Sequence, residues 1–265
     1  MLRIRLFFTI SIFLCALYSS SAQNWESAAV ECERIIYDGA DLQETNSALV
    51  RKAECCKQLG RYADATAALA RVRMFALSPE ERHEVLYQQE LCYFLSGEFS
   101  QAAAMVPEVD LDSADVLLLH ALALAYSGNY PESEIYAARF ISWDGESPHL
   151  GKLLKFYESA PRVRRPGTAF ALSFVPPLGH LYNGAYGEGA LSAGLNAAAV
   201  AFTVANLLGG YWVTGLLGGG MALNYTYMGN QQRNQALVEK HNHNDPIEFG
   251  DRLRALLLGF GEAED

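Results

Sequence analysis

His180 is the residue whose type and company could do chemistry. It lies in "SFVPPLGHLYNGAYGEGA", Ser173 to Ala190, with Tyr182 and Asn183 beside it. An imidazole can take or give a proton near neutral pH, but general acid–base catalysis needs a second positioned group. No Asp, Cys or Ser stands at a spacing that would supply one. His241 and His243 alternate around Asn242 in "EKHNHND", with Asp245 beyond, and such ligands suit zinc. Two histidines in a polar stretch nevertheless read first as solvated side chains. "GLLGGG" at 215–220 is glycine-rich but lacks the strand that precedes a nucleotide loop. There is no phosphate-binding Gly–Lys–Ser/Thr loop, no paired-cysteine zinc motif and no nucleophile elbow. The residues therefore predict no catalysis, no metal and no cofactor.

The elements around His180 explain it better. Met1 to Arg5 is basic, Leu6 to Leu17 is apolar, and Ser20 and Ala22 are the small residues before Gln23. That composition predicts a secretory signal peptide over 1–22, with an apolar run too short to span a bilayer. The remainder is expected to be exported. Cys32, Cys55, Cys56 and Cys92 follow, inside helical patterns. Buried small residues are the first reading, and a bridge from Cys32 to Cys55 or Cys56, permitted in an exported chain, is the rival. A formal net charge of -10 argues against nucleic acid, which is bound by neutralising phosphates.

Residues 24–160 repeat. "ALVRKAECCKQLGRYADATAAL", "VLYQQELCYFLSGEFSQAAAMV" and "VLLLHALALAYSGNYPESEIYA" align on Gly60, Gly97 and Gly128, 37 and 31 residues apart. Eleven residues earlier stand Leu49, Leu86 and Leu117, and two residues later Tyr62, Phe99 and Tyr130. Small residues recur seven before the glycine (Ala53 and Ala121, with Glu90 departing) and five after it (Ala65, Ala102, Ser133). This pattern resembles the tetratricopeptide repeat. The resemblance implies an antiparallel helix-pair solenoid with flanking helices at 24–37 and 148–159. It also implies a protein-binding groove walled by the first helix of each pair. On that count Tyr87, Glu90 and Phe94, with Leu91 beside them, and Leu118 and Leu122 face the groove. The wall is expected to be apolar, suited either to a partner helix or to the chain's own cap or membrane segment. Arg51 and Lys52 are the only hint of a basic wall.

Residues 189–232 carry no formal charge. "GALSAGLNAAAVAFTVANLLGG" is long enough to cross about 30 Å of hydrocarbon, and "YWVTGLLGGGMALNYTYMG" follows, with Gly209 and Gly210 between them. The expected structure is a transmembrane helical hairpin over 189–229. Ala190, Gly194 and Ala198 on one arm and Gly215, Gly219 and Leu223 on the other are its packing faces, and a homo-oligomer through the glycine-rich hairpin stays open. Pro176 and Pro177 break any helix before it. Residues 161–188 thus form a basic linker, Arg162 to Arg165, and an interfacial or re-entrant segment, and 168–229 is the part expected to meet lipid. "VPPLGHLYNGAYGEGALSAGLNAA" is similar to the entry of bacterial two-span hairpin domains, through Pro176, Gly179, Tyr182 and Gly184. Pro177 stands for that family's first glycine and His180 for its glutamine. The family brings no activity with it. Residues 230–265 read as a polar tail with a short amphipathic helix from Pro246.

The expected fold class is all-α: a TPR-like solenoid at 23–160 followed by the membrane hairpin. The expected role is a membrane-tethered scaffold of the bacterial cell envelope that binds a protein partner without catalysis. The competing reading is an oligomeric hairpin in a transport or assembly machine.

Overall fold

The computed structural model describes residues 24–261 except 40, 110–112, 144 and 146, so the expected signal peptide at 1–22 lies outside the described residues. The described chain is helical, with no strand. It divides into two units, one ending at Glu158 but taking in the chain from Leu253 onward, the other running from Ser159 to Arg252.

The first unit holds helices α1 (24–37), α2 (Leu42–Gln58), α3 (Tyr62–Leu69), α4 (Pro79–Leu95), α5 (Phe99–Met105), α6 (Ala114–Tyr126), α7 (Tyr130–Ile141) and α8 (Leu150–Tyr157). Their starts follow local chemistry. Asp41 accepts from the Glu44 N–H at 2.8 Å to cap α2, and Ser78 with Glu81 forms a reciprocal capping box on α4.

One turn joins the helices within each pair. Gly60, Gly97 and Gly128 have φ of 70°, 82° and 86°, a conformation that costs any residue with a Cβ. Behind Gly60, its N–H donates to Lys57 O at 2.9 Å and the Arg61 N–H to Cys56 O at 2.8 Å. This pair of hydrogen bonds satisfies carbonyls of the last helical turn, and it recurs behind Gly97 and Gly128. The small residue five positions on is fully buried in all three pairs, at Ala65, Ala102 and Ser133. In the third pair Ser133 Oγ donates to Ala121 O at 2.7 Å, so the positions seven before and five after the glycine touch. Tyr157 then donates to Ser133 Oγ at 2.7 Å, tying α8 to α7.

The same turn appears twice more, in the second unit. Gly184 (φ 71°) links α10 (Leu178–Tyr182) to α11 (Tyr186–Leu208), and Gly210 (φ 80°) links α11 to the next arm. Their hydrogen bonds repeat the pattern: Ala185 N–H to His180 O at 2.9 Å, and Tyr211 N–H to Asn206 O at 2.8 Å. An aromatic again stands two residues on, at Tyr186 and Trp212, and a buried small residue five on, at Gly189 and Gly215. Five helix pairs in two units thus obey one rule, glycine–x–aromatic–x–x–small.

Leu49, Ala53, Cys56, Ala65, Leu69, Val85 and Cys92 form one core cluster. All four described cysteines are buried and free, so the proposed bridge from Cys32 is absent. Burial pushes the Cys92 thiol up to about 11. The end of the chain closes the unit. Leu253, Leu257 and Phe260 are buried, and the Phe260 ring stacks on His149 with centroids 4.4 Å apart.

The second unit contains α9 (Pro166–Ser173), α10, α11 and most of α12 (Gly220–Gly261), reached through a wider π-helical stretch, Thr214–Gly219. Pro176 and Pro177 separate α9 from α10, as their chemistry requires. The expected polar tail with a short helix is corrected. Residues 230–261 continue α12 without a break, and Pro246 sits inside that helix.

Candidate functional site

In the first unit a cleft of about 630 Å³ opens between α2 and α4, the first helices of two successive pairs. Its floor is apolar (Val50, Ala53, Leu69, Leu77, Val85) and its rim polar, with Gln43, Ser47, Arg51, Glu54, Glu81 and Glu84. Asn46 shapes one end. It donates to Arg73 O at 3.2 Å and accepts from Arg73 N–H at 2.9 Å, holding the turn that leads to the Met74–Ala76 3₁₀ segment. Lys57 strides between the helices, 2.5 Å from Glu54 and 2.5 Å from Gln88. Arg51 lies on this rim, whereas Lys52 pairs with Glu33 on the far side of α2.

The residues expected to wall the groove lie one pair further on, and several are used internally. Phe94 packs edge-on against Phe99 and Tyr126, both at 5.5 Å between centroids, and Phe99 stacks on Tyr126 at 4.5 Å. Leu122 is buried; Tyr87, Leu91 and Leu118 are half-buried. Of the apolar wall expected on α4, Phe94 is engaged in interhelical packing, and the open cleft, with its polar rim, lies between α2 and α4.

Glu90 explains why it departs from the small-residue rule. It is completely buried, and its Oε2 lies 3.0 Å from His120 Nε2 on α6, itself 4% exposed. The contact has ion-pair distance but not hydrogen-bond geometry, and Glu90 Oε1 and His120 Nδ1 meet no partner. The Tyr136 ring stands edge-on to His120 with centroids 5.0 Å apart. Burial raises the Glu90 carboxyl above the usual carboxylate range, and His120 offsets this only in part.

In the second unit the opening motif becomes a joint. Gly179 is backed by Asn234 so closely that a Cβ would lie 2.6 Å from its Nδ2. Asn183 donates to Gly179 O at 3.1 Å and to Asn234 Oδ1 at 3.2 Å. Asn230 donates to Ser173 O at 3.1 Å and accepts from Ser192 Oγ at 3.0 Å. Further along, Thr226 Oγ1 donates to Asn196 Oδ1 at 3.0 Å. At the entry Tyr182 accepts from Arg165 N–H at 3.0 Å, and Arg164 donates to Asn183 O at 2.8 Å while Asn242 grips its backbone from both sides. Arg164 is thus a member of the joint, and of the three arginines in the expected basic linker only Arg162 and Arg165 are exposed. His180 is 3% exposed, packs its Cβ against Gly189, and leaves Nδ1 without a partner. It is buried in the joint between α10 and α11. His241 sits 3.3 Å from Asp245, and among the described residues no three His, Cys, Asp or Glu side chains gather as metal ligands.

The two arms that meet at Gly210 carry large apolar side chains on the outside, and amides are buried at their base. Leu191, Leu195, Val200, Phe202, Val204, Leu208, Leu216, Leu217 and Met221 are exposed, while Asn183, Asn230 and Asn234 are buried. The packing face of α11 differs from the one expected. Ala190, Gly194 and Ala198 point outward, and Ser192, Asn196, Ala199 and Thr203 point inward. On the other arm Gly215 and Gly219 are buried as expected, against Leu207 and Thr203. Grouping the small residues by fours passes over the Ser192–Asn196–Ala199–Thr203 stripe, although its helical spacing is visible in the sequence. Tyr186–Leu208 is, among the described residues, the one helix long and apolar enough to cross a membrane. In the second arm Asn224, Tyr225, Thr226 and Tyr227 dilute the apolar run.

A Cβ on Gly219 would stand 2.0 Å from Thr203 Oγ1, 2.8 Å from its Cβ and 3.1 Å from its Cα. Gly219→Ala is therefore expected to lower the stability of the chain by about 1–3 kcal/mol, the usual cost of overpacking. Pairing it with Thr203→Gly is expected to recover part of the loss, and an unchanged melting temperature for the single variant would contradict the close approach.

No family model, no curated protein and no solved structure matches this chain.

Proposed function

We propose that the protein is a membrane-tethered scaffold of the bacterial cell envelope: an exported TPR-like unit that binds a protein partner, held at the bilayer by the helical hairpin around α11, without catalysis. The observation that carries the reading is the inversion of the arms around α11. Amides and hydroxyls are hydrogen-bonded inside while large apolar side chains face out. In water that arrangement leaves a large apolar surface without a partner, whereas lipid supplies one. The glycines and amides of the joint then serve close packing and hydrogen-bond satisfaction in a medium that offers no hydrogen bonds.

The first unit supports the partner half of the reading through its cleft. An apolar floor beneath a polar rim suits a peptide segment that anchors one or two apolar side chains and hydrogen-bonds along its edges. The buried Gly215 and Gly219 are occupied within the hairpin, so a requirement for them would not distinguish an oligomer from a tether.

The test is in-cell photo-crosslinking from two positions in the full chain, Val50 on the cleft floor and Leu91 on α4. A single recurring envelope protein captured from Val50 and not from Leu91 is the expected result. Adducts only within this chain, or none from either position, would remove the scaffold reading.

A further inference from the structure

We infer that residues 159–252 cross the bilayer twice. The repeat unit and the chain's last helical turns then share one face, and only the turn at Leu208–Val213 reaches the other. The inference rests on the membrane reading above and adds the side on which each part lies.

The first argument is parity. Leu253 and Leu257 are buried at 0% and 1% exposure in the same unit as the repeats. Phe260 stacks on His149 of the α8 entry, and Lys152 Nζ lies 5.5 Å over its ring. A packed aqueous unit cannot have a bilayer running through its core. The chain leaves this unit after Glu158 and re-enters it at Leu253, so the number of crossings between them is even.

The second argument is length. At 1.5 Å per residue the 23 residues of α11 reach about 34 Å, enough for a hydrocarbon core of about 30 Å. Helix α9 has 8 residues and α10 has 5, about 12 Å and 8 Å, too short to cross. Beyond the turn the uncharged stretch ends at Arg233. The return crossing therefore falls on the arm from Trp212 to Gly229, whose 18 residues reach about 27 Å.

The third argument is what stands at each end of α11. In the repeats, the aromatic two residues after the turn glycine is packed on a neighbouring helix, as Phe99 is on Tyr126. The equivalent residues here have no such cover: Tyr186 is 70% exposed and Trp212 63%. They sit one at each end of the span, where amphipathic rings favour the two interfaces of a bilayer. At the Tyr186 end stand the exposed Arg162 and Arg165 and the Glu188–Arg233 ion pair, with both contacts at 2.7 Å. Charges therefore collect at the Tyr186 end of the span, and the turn at its other end, Leu208–Val213, carries none. Any partner of the cleft meets the protein on one face, and the opposite face is offered only Tyr211, Trp212 and their neighbours.

The experiment uses the full chain in sealed membrane vesicles of both orientations, with a membrane-impermeant maleimide. Three exposed positions receive a cysteine, one at a time: Tyr37→Cys, Tyr211→Cys and Gly259→Cys. The native described cysteines are buried, so the unsubstituted chain is the blank. Tyr37→Cys and Gly259→Cys are expected to label from the same side, and Tyr211→Cys only from the opposite side. Labelling of Gly259→Cys from the side opposite Tyr37→Cys breaks the parity argument. Tyr211→Cys that labels from the Tyr37 side, or from neither side, rejects the double crossing. Alkaline carbonate washing of the same vesicles separates this outcome from failure of the membrane reading itself: a chain released by the wash is not embedded at all.

Discussion

Replacing His120 by alanine should destabilise the repeat unit by about 3–5 kcal/mol at pH 8, because it leaves the Glu90 carboxyl buried without the imidazole that faces it. Removing one member of a buried pair is costlier than removing both. Glu90→Ala/His120→Ala is accordingly expected to lose less than His120→Ala alone, since Ala53 and Ala121 fill the equivalent positions in the neighbouring pairs without difficulty. The pH dependence has a defined sign. The folded Glu90 binds its proton more tightly than the unfolded chain does, so the native state holds more protons above the ordinary carboxylate range. That contribution is fully present at low pH and is lost as pH rises through the raised value. The defect of His120→Ala should therefore be smaller at pH 5 than at pH 8, and Glu90→Gln should flatten the slope. Denaturant titrations of the full chain at the two pH values read all of these quantities. A defect of equal size at both pH values would mean that Glu90 does not carry the charge.

Leu257→Ala should cost about 2–5 kcal/mol, as large-to-small changes at fully buried sites do, and the loss should fall on the repeat unit. Leu257 is 1% exposed and belongs, with Leu253 and Phe260, to the segment that closes that unit. An apolar face at the end of a helix stack needs a cover, and residues 253–260 help to supply it here. Hydrogen exchange by mass spectrometry should show faster exchange in α7 and α8 and unchanged protection in α10 and α11. Ala255→Ser, on the exposed side of the same helix, should change nothing beyond about 0.5 kcal/mol. Equal loosening of both units by Leu257→Ala would mean that they unfold together.

The sequence determined the elements. Asn24 to Tyr37 is helical over the expected span, and the marker glycines, the aromatics and the buried Ala65, Ala102 and Ser133 were all legible from spacing. These are local signals, because a left-handed glycine turn and a small contact residue act within a dozen residues of chain. The uncharged stretch containing α11 was equally legible, since length and apolarity alone define it. Tertiary structure decided what no local pattern encodes. Glu90 reads as a fault in its repeat until His120, on another helix pair, lies 3.0 Å away. Phe94 reads as a groove residue until Phe99 and Tyr126 pack against its ring. Asn230 and Asn234 read as a polar tail until Ser173, Asn183 and Ser192 meet them from positions 38 to 57 residues earlier. The amphipathic segment from Pro246 names no partner by itself until His149 stacks on Phe260. In each case the partner is distant in sequence, and a side chain's role followed from which surface it buried and which hydrogen bond it satisfied.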